Sequence, residues 1–257
     1  VDPAQPLDTT HPLLRGVEGF WIVTPSLSNS TRVFDHTSYA RHSTQNSNYI
    51  KTLPEVPFPV IDTPQDTEDS YEIPFDGSIL GDGPFTVVYA VKEDGVREAI
   101  FGGEVANYGG QGNVWFQIAG SAGGDRFAFD DGSTKDSFGD NLLDRSKRTF
   151  VTRAVTGDGV SAADPKYRLF EDGRKITVAT RNAGQFIPDT GSLYIGGNGR
   201  DSSKGAPVGF VAVYSRKLSQ STIQAVGNRF KRGFPDLLRT RSSPALVSTS
   251  VGGGASG

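Results

Sequence analysis

The chain has 257 residues, with 26 basic and 29 acidic side chains and no cysteine or methionine. Without cysteine there is no disulfide, no zinc–thiolate site and no cysteine nucleophile. The numbers of basic and acidic side chains are nearly equal, which argues against non-specific binding of nucleic acid, because that binding needs clustered Lys and Arg. The 32 glycines and 15 prolines, spread among short β-branched and aromatic runs, favour an all-β sandwich or barrel.

The N-terminal quarter is rich in proline and polar residues. Residues 1–16 are interrupted by three prolines, and we expect an extended N-terminal arm. They hold neither a basic region nor an apolar stretch, so we expect no signal peptide, and no apolar run in the chain is long enough to span a bilayer. Residues 17–23 predict the first strand. The proline-dense stretch within residues 24–68 predicts a long insertion of loop or edge structure.

Alternating β-branched and aromatic residues predict the strands of the central part. Residues 84–92 give the strongest signal, with apolar side chains on both faces. Residues 114–119 and 126–130 flank a glycine-rich stretch and predict a hairpin. Further strands are predicted at 70–75, 98–102, 149–155, 167–171, 174–178, 193–195 and 210–214.

Two local motifs carry specific structural predictions. Asp172-Gly173 lies between two alternating runs and predicts a two-residue type I′ hairpin, because both positions can take positive φ. A single helix is predicted to begin after Ser219 as its N-cap, with Leu218 and Ile223 as a hydrophobic staple. Gly233 suits the left-handed position that follows a helix. Beyond it, residues 235–257 have the Ser/Gly-rich composition of a flexible C-terminal arm.

The order of four motifs points to a family. These are PFTVVYAVK (84–92), YRLFEDGRKI (167–176), SLYIGGN (192–198) and GFVAVYSRKLSQSTIQAVGNRF (209–230). Together they resemble the laminin-G-like, concanavalin A-like jelly-roll family, which implies an antiparallel β-sandwich over residues 17–234 with one short C-terminal helix. Where many members carry acidic residues on the last strand, this chain has Val211 and Ala212, so a site built on those acids is absent.

Both ends of the chain carry a second resemblance. HPLLRGVEGFW (11–21) and FPDLLR (234–239) are similar to the ends of jelly-roll proteins encoded by tailed bacteriophages. This resemblance implies a virion or adhesion component that is assembled in the host cytoplasm. Its contacts with neighbouring subunits would be made by the two arms, through His11, Arg15, Leu237, Arg239 and Arg241.

Candidate ligand sites lie in two loops. Tyr108 and Trp115 flank a glycine-rich stretch and could form a platform on which a sugar ring stacks. Trp115 and Phe116 alternate along one strand, so one of them must belong to the core. The acidic stretch 129–141 could supply calcium with oxygen ligands, although its spacing fits no fixed calcium loop and a solvated hairpin loop explains it as well. Its carboxylates are Asp130, Asp131, Asp136 and Asp140.

Catalytic patterns are weak in this sequence. A glycosidase needs two carboxylates on either side of the scissile bond. The nearest pattern, Glu68-Asp69-Ser70-Tyr71-Glu72, puts Asp69 on the wrong face of a strand, and prolines flank it. No Gly-x-Ser-x-Gly elbow occurs. We therefore expect a protein that is not an enzyme and that needs no cofactor other than, at most, calcium.

Two functional hypotheses follow, in different classes. The first is a bacteriophage capsid decoration or cement protein, which would bind the major capsid protein or other virion subunits and could form a homo-oligomer. The alternative is a lectin-like adhesion module that binds a host-surface glycan through the Tyr108–Trp115 region. A glycoside hydrolase is disfavoured, and neither nucleic acid nor membrane is an expected partner.

Overall fold

The structure is a computed structural model that describes thirteen stretches of the chain. These are residues 7–8, 10–24, 32–43, 49–63, 71–74, 82–92, 98–103, 114–118, 126–130, 134–139, 149–183, 192–196 and 206–234. Fourteen strands lie in these stretches, together with one 3-10 turn and one α-helix.

The strands and helices have the following bounds in chain order. The 3-10 turn is Pro12–Leu14, and the strands of the first half are β1 Val17–Ile22, β2 Ile50–Lys51, β3 Val60–Ile61, β4 Tyr71–Pro74, β5 Phe85–Lys92, β6 Glu98–Gly103 and β7 Val114–Ile118. The second half contains β8 Arg126–Asp130, β9 Lys135–Phe138, β10 Phe150–Gly157, β11 Lys166–Glu171, β12 Arg174–Thr180, β13 Ser192–Ile195, β14 Val208–Tyr214 and the helix α1 Gln220–Phe230. No described helix is long and apolar enough to cross a bilayer.

The strands form two antiparallel sheets. An eight-stranded sheet has the order β12-β11-β10-β5-β14-β3-β2, with β1 also paired to β14, and a six-stranded sheet has the order β4-β13-β6-β7-β8-β9. Buried side chains from both sheets form one inner core. The predicted all-β sandwich with one short C-terminal helix is confirmed.

The central strand β5 shows why the eight-stranded sheet is buried on both faces. Val87 and Tyr89 point into the inner core between the sheets, whereas Val88 and Ala90 belong to a second core on the other face. That second core is covered by α1, whose stripe of Ile223, Val226 and Phe230 is buried. Two apolar faces explain why β5 reads as a continuous apolar run.

Local sequence signals account for the helix and the sharpest hairpin. The Ser219 hydroxyl accepts a hydrogen bond from the Thr222 amide at 3.2 Å, as the N-cap prediction requires. Gly233 has φ +79° just beyond α1. Asp172 and Gly173 have φ of +47° and +78° between β11 and β12, so the predicted turn with two positive φ angles is confirmed.

The N-terminal segment differs from the extended arm that the prolines predict. Residues 12–14 form a 3-10 turn, and the His11 Nδ1 atom accepts a hydrogen bond from the Leu13 amide at 3.2 Å. Leu7 and Leu14 are buried in the second core. The described part of the predicted arm thus contains one 3-10 turn and packs on the sandwich, because these leucines gain more by burial than by lying in solvent.

Two other segments refine the sequence reading. The proline-dense insertion contributes β2 and β3 at the margin of the eight-stranded sheet, which agrees with the predicted edge structure. The acidic stretch 129–141, predicted as a loop, contains the strand β9, which pairs with β8. The sequence of β9, Lys-Asp-Ser-Phe, is mostly polar because it forms the margin of its sheet.

Candidate functional site

The register of the six-stranded sheet aligns one residue from each strand in a continuous row. We call this the outer row, and its members are Glu72, Tyr194, Gly102, Trp115, Ala128 and Ser137. One residue along, a second row crosses the same six strands. We call it the core row, and it consists of Tyr71, Ile195, Phe101, Phe116, Phe127 and Phe138.

The burial of the described side chains assigns the two rows to opposite faces. Tyr71, Ile195 and Phe127 in the core row are fully buried. Glu72 and Tyr194 in the outer row are half-buried and Ser137 is exposed. Since side chains alternate along a strand, Trp115 occupies an outer-row position and Phe116 a core-row position. The register thus aligns Phe116, and not Trp115, with the buried Phe127.

The outer row combines residue types that suit sugar binding. Tyr194 and Trp115 are two strands apart, about 9.5 Å at the usual strand spacing, and Gly102 lies between them without a side chain. Aromatic rings with a nearby polar handle offer an apolar face and hydrogen bonds to the same ligand. Glu72, the cross-strand partner of Tyr194, supplies a carboxylate at one margin of this row.

The strand ends that flank two of the predicted loops lie at one end of the six-stranded sheet. Residues 104–113, which include Tyr108, connect β6 to β7 and lie outside the described residues. The register pairs Val114 with Phe129, so this connection begins and ends at the same end of the sheet as the turn between β8 and β9. The described strand ends on either side of these two connections therefore lie at one end of the six-stranded sheet.

Asp136, one of the calcium candidates, has a defined structural role. It is 6% exposed, and its Oδ2 atom accepts hydrogen bonds from the backbone amides of Asn182 and Ala183, each at 2.7 Å. Its Oδ1 atom accepts another from the Asn182 side-chain amide at 3.0 Å. Both carboxylate oxygens thus connect β9 to the segment that follows β12 through hydrogen bonds.

The remaining calcium candidates give no metal geometry. Asp130 ends β8, and Asp131 and Asp140 lie outside the described residues. Within the stretches that the structure describes, no group of three or more His, Asp or Glu could hold a metal ion. Calcium binding stays a prediction.

Charged side chains connect strand ends at one rim of the eight-stranded sheet. The Asp158 carboxylate accepts hydrogen bonds from Lys217 Nζ at 2.7 Å and from Arg168 Nη1 at 2.9 Å. Burial raises the pKa of Asp158, but these hydrogen bonds lower it by more, so the pKa lies below its ordinary value. The buried Arg181 guanidinium donates to the carbonyl oxygens of Ala183 and Gly83, at 3.1 and 3.2 Å, and so fixes the segment that Asp136 binds.

The predicted partner-binding residues serve the domain itself where they are described. His11 caps the 3-10 turn, and the Arg15 carbonyl oxygen accepts a hydrogen bond from Arg216 Nε at 2.6 Å. Leu237, Arg239 and Arg241 lie outside the described residues. Contacts of either arm with another subunit stay a prediction.

Two surface features were missed by the sequence reading. Tyr194 was predicted only as part of the strand 193–195. Because Leu193 and Ile195 are apolar residues on either side of it, the alternation of side chains along a strand already indicated that Tyr194 faces away from them. Tyr39 is 51% exposed, and the Arg41 guanidinium lies 4.3 Å from its ring centroid. No periodic signal marks Tyr39, because it lies in an irregular segment.

That irregular segment is fixed by Asp35. The Asp35 carboxylate accepts hydrogen bonds from the backbone amides of Phe20, Thr37 and Arg41 and from the Thr37 hydroxyl, at 2.8 to 3.1 Å. The indole Nε1 of Trp21 donates to the Arg41 carbonyl at 2.9 Å. The signal available in the sequence was the Asp-x-Thr pattern of residues 35–37, which favours such a turn.

Comparison with known proteins leaves the family open. Neither the known sequence families nor the curated protein sequences contain a match to the chain. Solved structures do match. Domain 4 of AbnA, a GH43 extracellular arabinanase from Geobacillus stearothermophilus, in complex with arabinotriose, has a TM-score of 0.54 at 13% identity, over 72% of this chain and 84% of that one.

Two further structures share the architecture. The CBM40 of the Ruminococcus gnavus IT-sialidase, bound to α2,3-sialyllactose, has a TM-score of 0.50 at 20% identity, over 65% of this chain and 95% of that one. The receptor-binding domain of botulinum neurotoxin type G has a TM-score of 0.54 at 10% identity, over 83% and 51%. At these identities the likeness shows the fold alone: the chain shares a β-sandwich fold with these domains.

Proposed function

We propose that the chain is a non-catalytic carbohydrate-binding module whose glycan lies on the outer row of the six-stranded sheet. The observation that carries this proposal is the register, which aligns Tyr194, Gly102 and Trp115 in one row. The described side chains of that row, those of Glu72, Tyr194 and Ser137, are not buried. A sugar ring stacks its apolar face on such side chains, and polar neighbours bind its hydroxyl groups. The solved structures that share the fold add support, since two of them hold an oligosaccharide.

The absence of a paired carboxylate in the outer row favours binding over hydrolysis. A retaining glycosidase needs two carboxyl groups about 5–5.5 Å apart. Within the six residues of the outer row, Glu72 is the single carboxylate. Release of reducing ends from any polysaccharide by the wild-type chain, abolished by Glu72→Gln, would overturn the non-catalytic proposal.

The experiment is a glycan array followed by isothermal titration of the glycans that bind. The array includes arabinotriose and α2,3-sialyllactose, the ligands of two structures that share the fold. Trp115→Ala is expected to weaken binding at least tenfold, which is about 1.4 kcal/mol of lost contact. Tyr39→Ala is the matched control, because it removes an exposed ring outside the outer row.

Two outcomes would overturn the proposal. One is that no glycan on the array binds. The other is that Trp115→Ala and Tyr39→Ala weaken binding equally, because the outer row would then have no special part in it. The thermal unfolding midpoint of each variant is measured alongside, so that a loss of fold is not mistaken for a loss of site.

The virion role stays a prediction that the described residues do not strengthen. Its sequence support included the segments HPLLRGVEGFW (11–21) and FPDLLR (234–239), and several residues of the first segment have contacts inside the domain. Leu14 and Trp21 are buried, and a Cβ atom at Gly19 would lie 2.1 Å from the Trp21 ring. Packing therefore accounts for these three residues of the segment, and a decoration role needs a test with assembled particles.

A further inference from the structure

Aspartate followed by glycine is a chemically reactive pair, and the sequence contains six such pairs. The amide nitrogen of the glycine can attack the Cγ atom of the aspartate before it, because glycine has no Cβ atom to hinder the approach or to restrict the backbone. Three of the six pairs lie outside the described residues. The structure describes the other three, which are Asp82-Gly83, Asp158-Gly159 and Asp172-Gly173.

The Asp158 carboxylate is held in place by its neighbours. It is 9% exposed, and both of its oxygens accept hydrogen bonds from Arg168 Nη1 at 2.9 Å. Lys217 Nζ and the Lys166 amide also donate to it, at 2.7 and 3.1 Å. These hydrogen bonds would have to break before the carboxyl group could react with Gly159, so the fold protects this pair.

The Asp172 side chain is fixed at the tip of the β11–β12 hairpin. Its Oδ1 atom accepts a hydrogen bond from the Thr152 amide at 3.0 Å, and its own amide donates to the Thr152 carbonyl at 2.7 Å. Gly173 packs against α1, where an added Cβ atom would lie 2.6 Å from Cβ of Gln224. Ring closure requires the turn to change its backbone conformation, and the contact with the helix opposes that change.

Asp82 and Gly83 differ from both of these pairs. Both residues are exposed, and they come just before β5. Among the described residues, the Asp82 carboxylate accepts no hydrogen bond and forms no ion pair, and the Gly83 amide donates no hydrogen bond. A Cβ atom added to Gly83 would meet nothing within 4 Å. Neither the attacking nitrogen nor the attacked carboxyl group has to leave a partner before the reaction.

We propose that Asp82-Gly83 is a site of spontaneous covalent modification, at which the aspartate rearranges to isoaspartate through a cyclic succinimide. A bond forms between the Gly83 nitrogen and Cγ of Asp82, the bond from Cγ to the protonated carboxyl oxygen breaks, and one water leaves with the amide proton. A second water then opens the ring at either carbonyl, which restores aspartate or gives isoaspartate. The net change is an isomerisation that consumes no co-reactant and needs no enzyme.

The rearrangement would alter the contacts at the start of β5. In isoaspartate the backbone runs through Cβ and Cγ of Asp82, which lengthens the chain by one atom and leaves the former carbonyl as a free carboxylate. At present the Val160 amide donates to the Asp82 carbonyl at 2.9 Å, and Arg181 Nη1 donates to the Gly83 carbonyl at 3.2 Å. Both acceptors would move, so we expect the modified chain to unfold at a lower temperature than the fresh chain.

The test follows isoaspartate formation in the full, folded chain at neutral pH. Peptide mapping by mass spectrometry, with backbone fragmentation that distinguishes the two linkages, gives the isoaspartate fraction at each aspartate. Asp82 is expected to react at least about tenfold faster than Asp158 or Asp172, because the need to break one hydrogen bond to a charged group slows a reaction by about that factor. Asp164 is the internal control, since it is exposed but precedes Pro165, whose nitrogen carries no hydrogen.

Two comparisons separate the effect of the fold from that of the neighbouring sequence. Gly83→Ala is expected to slow isoaspartate formation at Asp82 several-fold and to leave the other two pairs unchanged, since the added methyl group hinders the attack but meets no atom of the fold. In concentrated urea all three pairs are expected to react at similar rates, because the hydrogen bonds that protect two of them are lost.

Four results would contradict the proposal. The first is that Asp82 forms no more isoaspartate than Asp164 in the folded chain, and the second is that Asp158 or Asp172 reacts there as fast as Asp82. The third is that the same order of rates persists in urea, which would mean that the sequence and not the fold sets the rates. The fourth is that chain carrying isoaspartate at position 82 unfolds at the same temperature as fresh chain, because the contacts at β5 would then be unaffected.

Discussion

The Oδ2 atom of Asp136 on β9 accepts a hydrogen bond from the Ala183 amide at 2.7 Å, and this bond joins the margins of the two sheets. Asp136→Ala would leave the amides of Asn182 and Ala183 without this acceptor. Because hydrogen bonds to a charged group are worth about 1.5–3 kcal/mol each, we expect the free energy of unfolding to fall by about 3 kcal/mol in urea titrations. Ser137→Ala, at the exposed neighbouring position, is expected to change it by less than about 0.5 kcal/mol.

Measuring stability with and without calcium distinguishes a structural role of Asp136 from a metal-binding role. A carboxylate that accepts backbone hydrogen bonds stabilises the fold whether or not calcium is present. We therefore expect Asp136→Ala to lose the same stability in calcium and in a chelator. A loss confined to the calcium-containing sample would contradict this expectation and would indicate that Asp136 is a metal ligand.

The turn glycine Gly173 is expected to be intolerant of a side chain. It has φ +78°, where alanine is strained, and a Cβ atom there would lie 2.8 Å from Cγ and 3.1 Å from Cα of Gln224. We expect Gly173→Ala to lower the free energy of unfolding by about 1–3 kcal/mol. Gly83 is the matched control, since its added Cβ would meet nothing within 4 Å. If Gly83→Ala destabilised the fold as much, strain and contact at Gly173 would not be the cause.

The lowered pKa of Asp158 predicts that the protein loses stability in acid. Its folded pKa lies below the ordinary value, so the folded state favours the charged carboxylate. The resulting stabilisation is complete above the unfolded pKa of about 3.9 and is lost as the pH falls through the lower, folded pKa.

The measurement compares unfolding free energies of wild type and Asp158→Asn between neutral pH and about pH 2.5. We expect the wild-type protein to have the larger free energy of unfolding. The difference from the variant should be constant down to about pH 5 and should shrink below about pH 4. Asp164→Asn is the control, because the Asp164 side chain is 73% exposed and its bond to Lys166 lies at the surface. If the difference in unfolding free energy did not change with pH, the charge of Asp158 would not be the cause of its stabilising effect.

Local structure was predictable where the signal lies within a few residues. The alternation of β5, the Asp172-Gly173 turn and the Ser219 cap each depend on contacts between near neighbours in sequence. The strand β9 was missed, because its pattern is polar and its position is set by pairing with β8. The hydrogen bond between Asp136 and Asn182 could not be predicted either, since the two residues are 46 positions apart in the sequence.

The candidate site depended on register more than on residue type. The sequence singled out Trp115 but left open whether Trp115 or Phe116 faces the core, because alternation gives two faces and does not say which is buried. The register pairs Trp115 with Gly102 on one side and Ala128 on the other, and it pairs Phe116 with the buried Phe127. The same pairing brings in Tyr194, which comes 79 residues after Trp115 in the chain, so no local pattern could have joined them.

Tyr194 allows a test of how the outer row would hold a sugar. If the ring stacks on the ligand, Tyr194→Phe keeps most of the affinity while Tyr194→Ala loses it, because phenylalanine offers the same apolar face. We expect a loss of about 0.5–1.5 kcal/mol for alanine, a factor of two to twelve in Kd, by isothermal titration with the best glycan from the array. Ser137→Ala, at the far margin of the outer row, is the control and is expected to have little effect. Equal losses for Tyr194→Phe and Tyr194→Ala would mean that the hydroxyl, and not the ring, binds the glycan, and the stacking geometry would have to be abandoned.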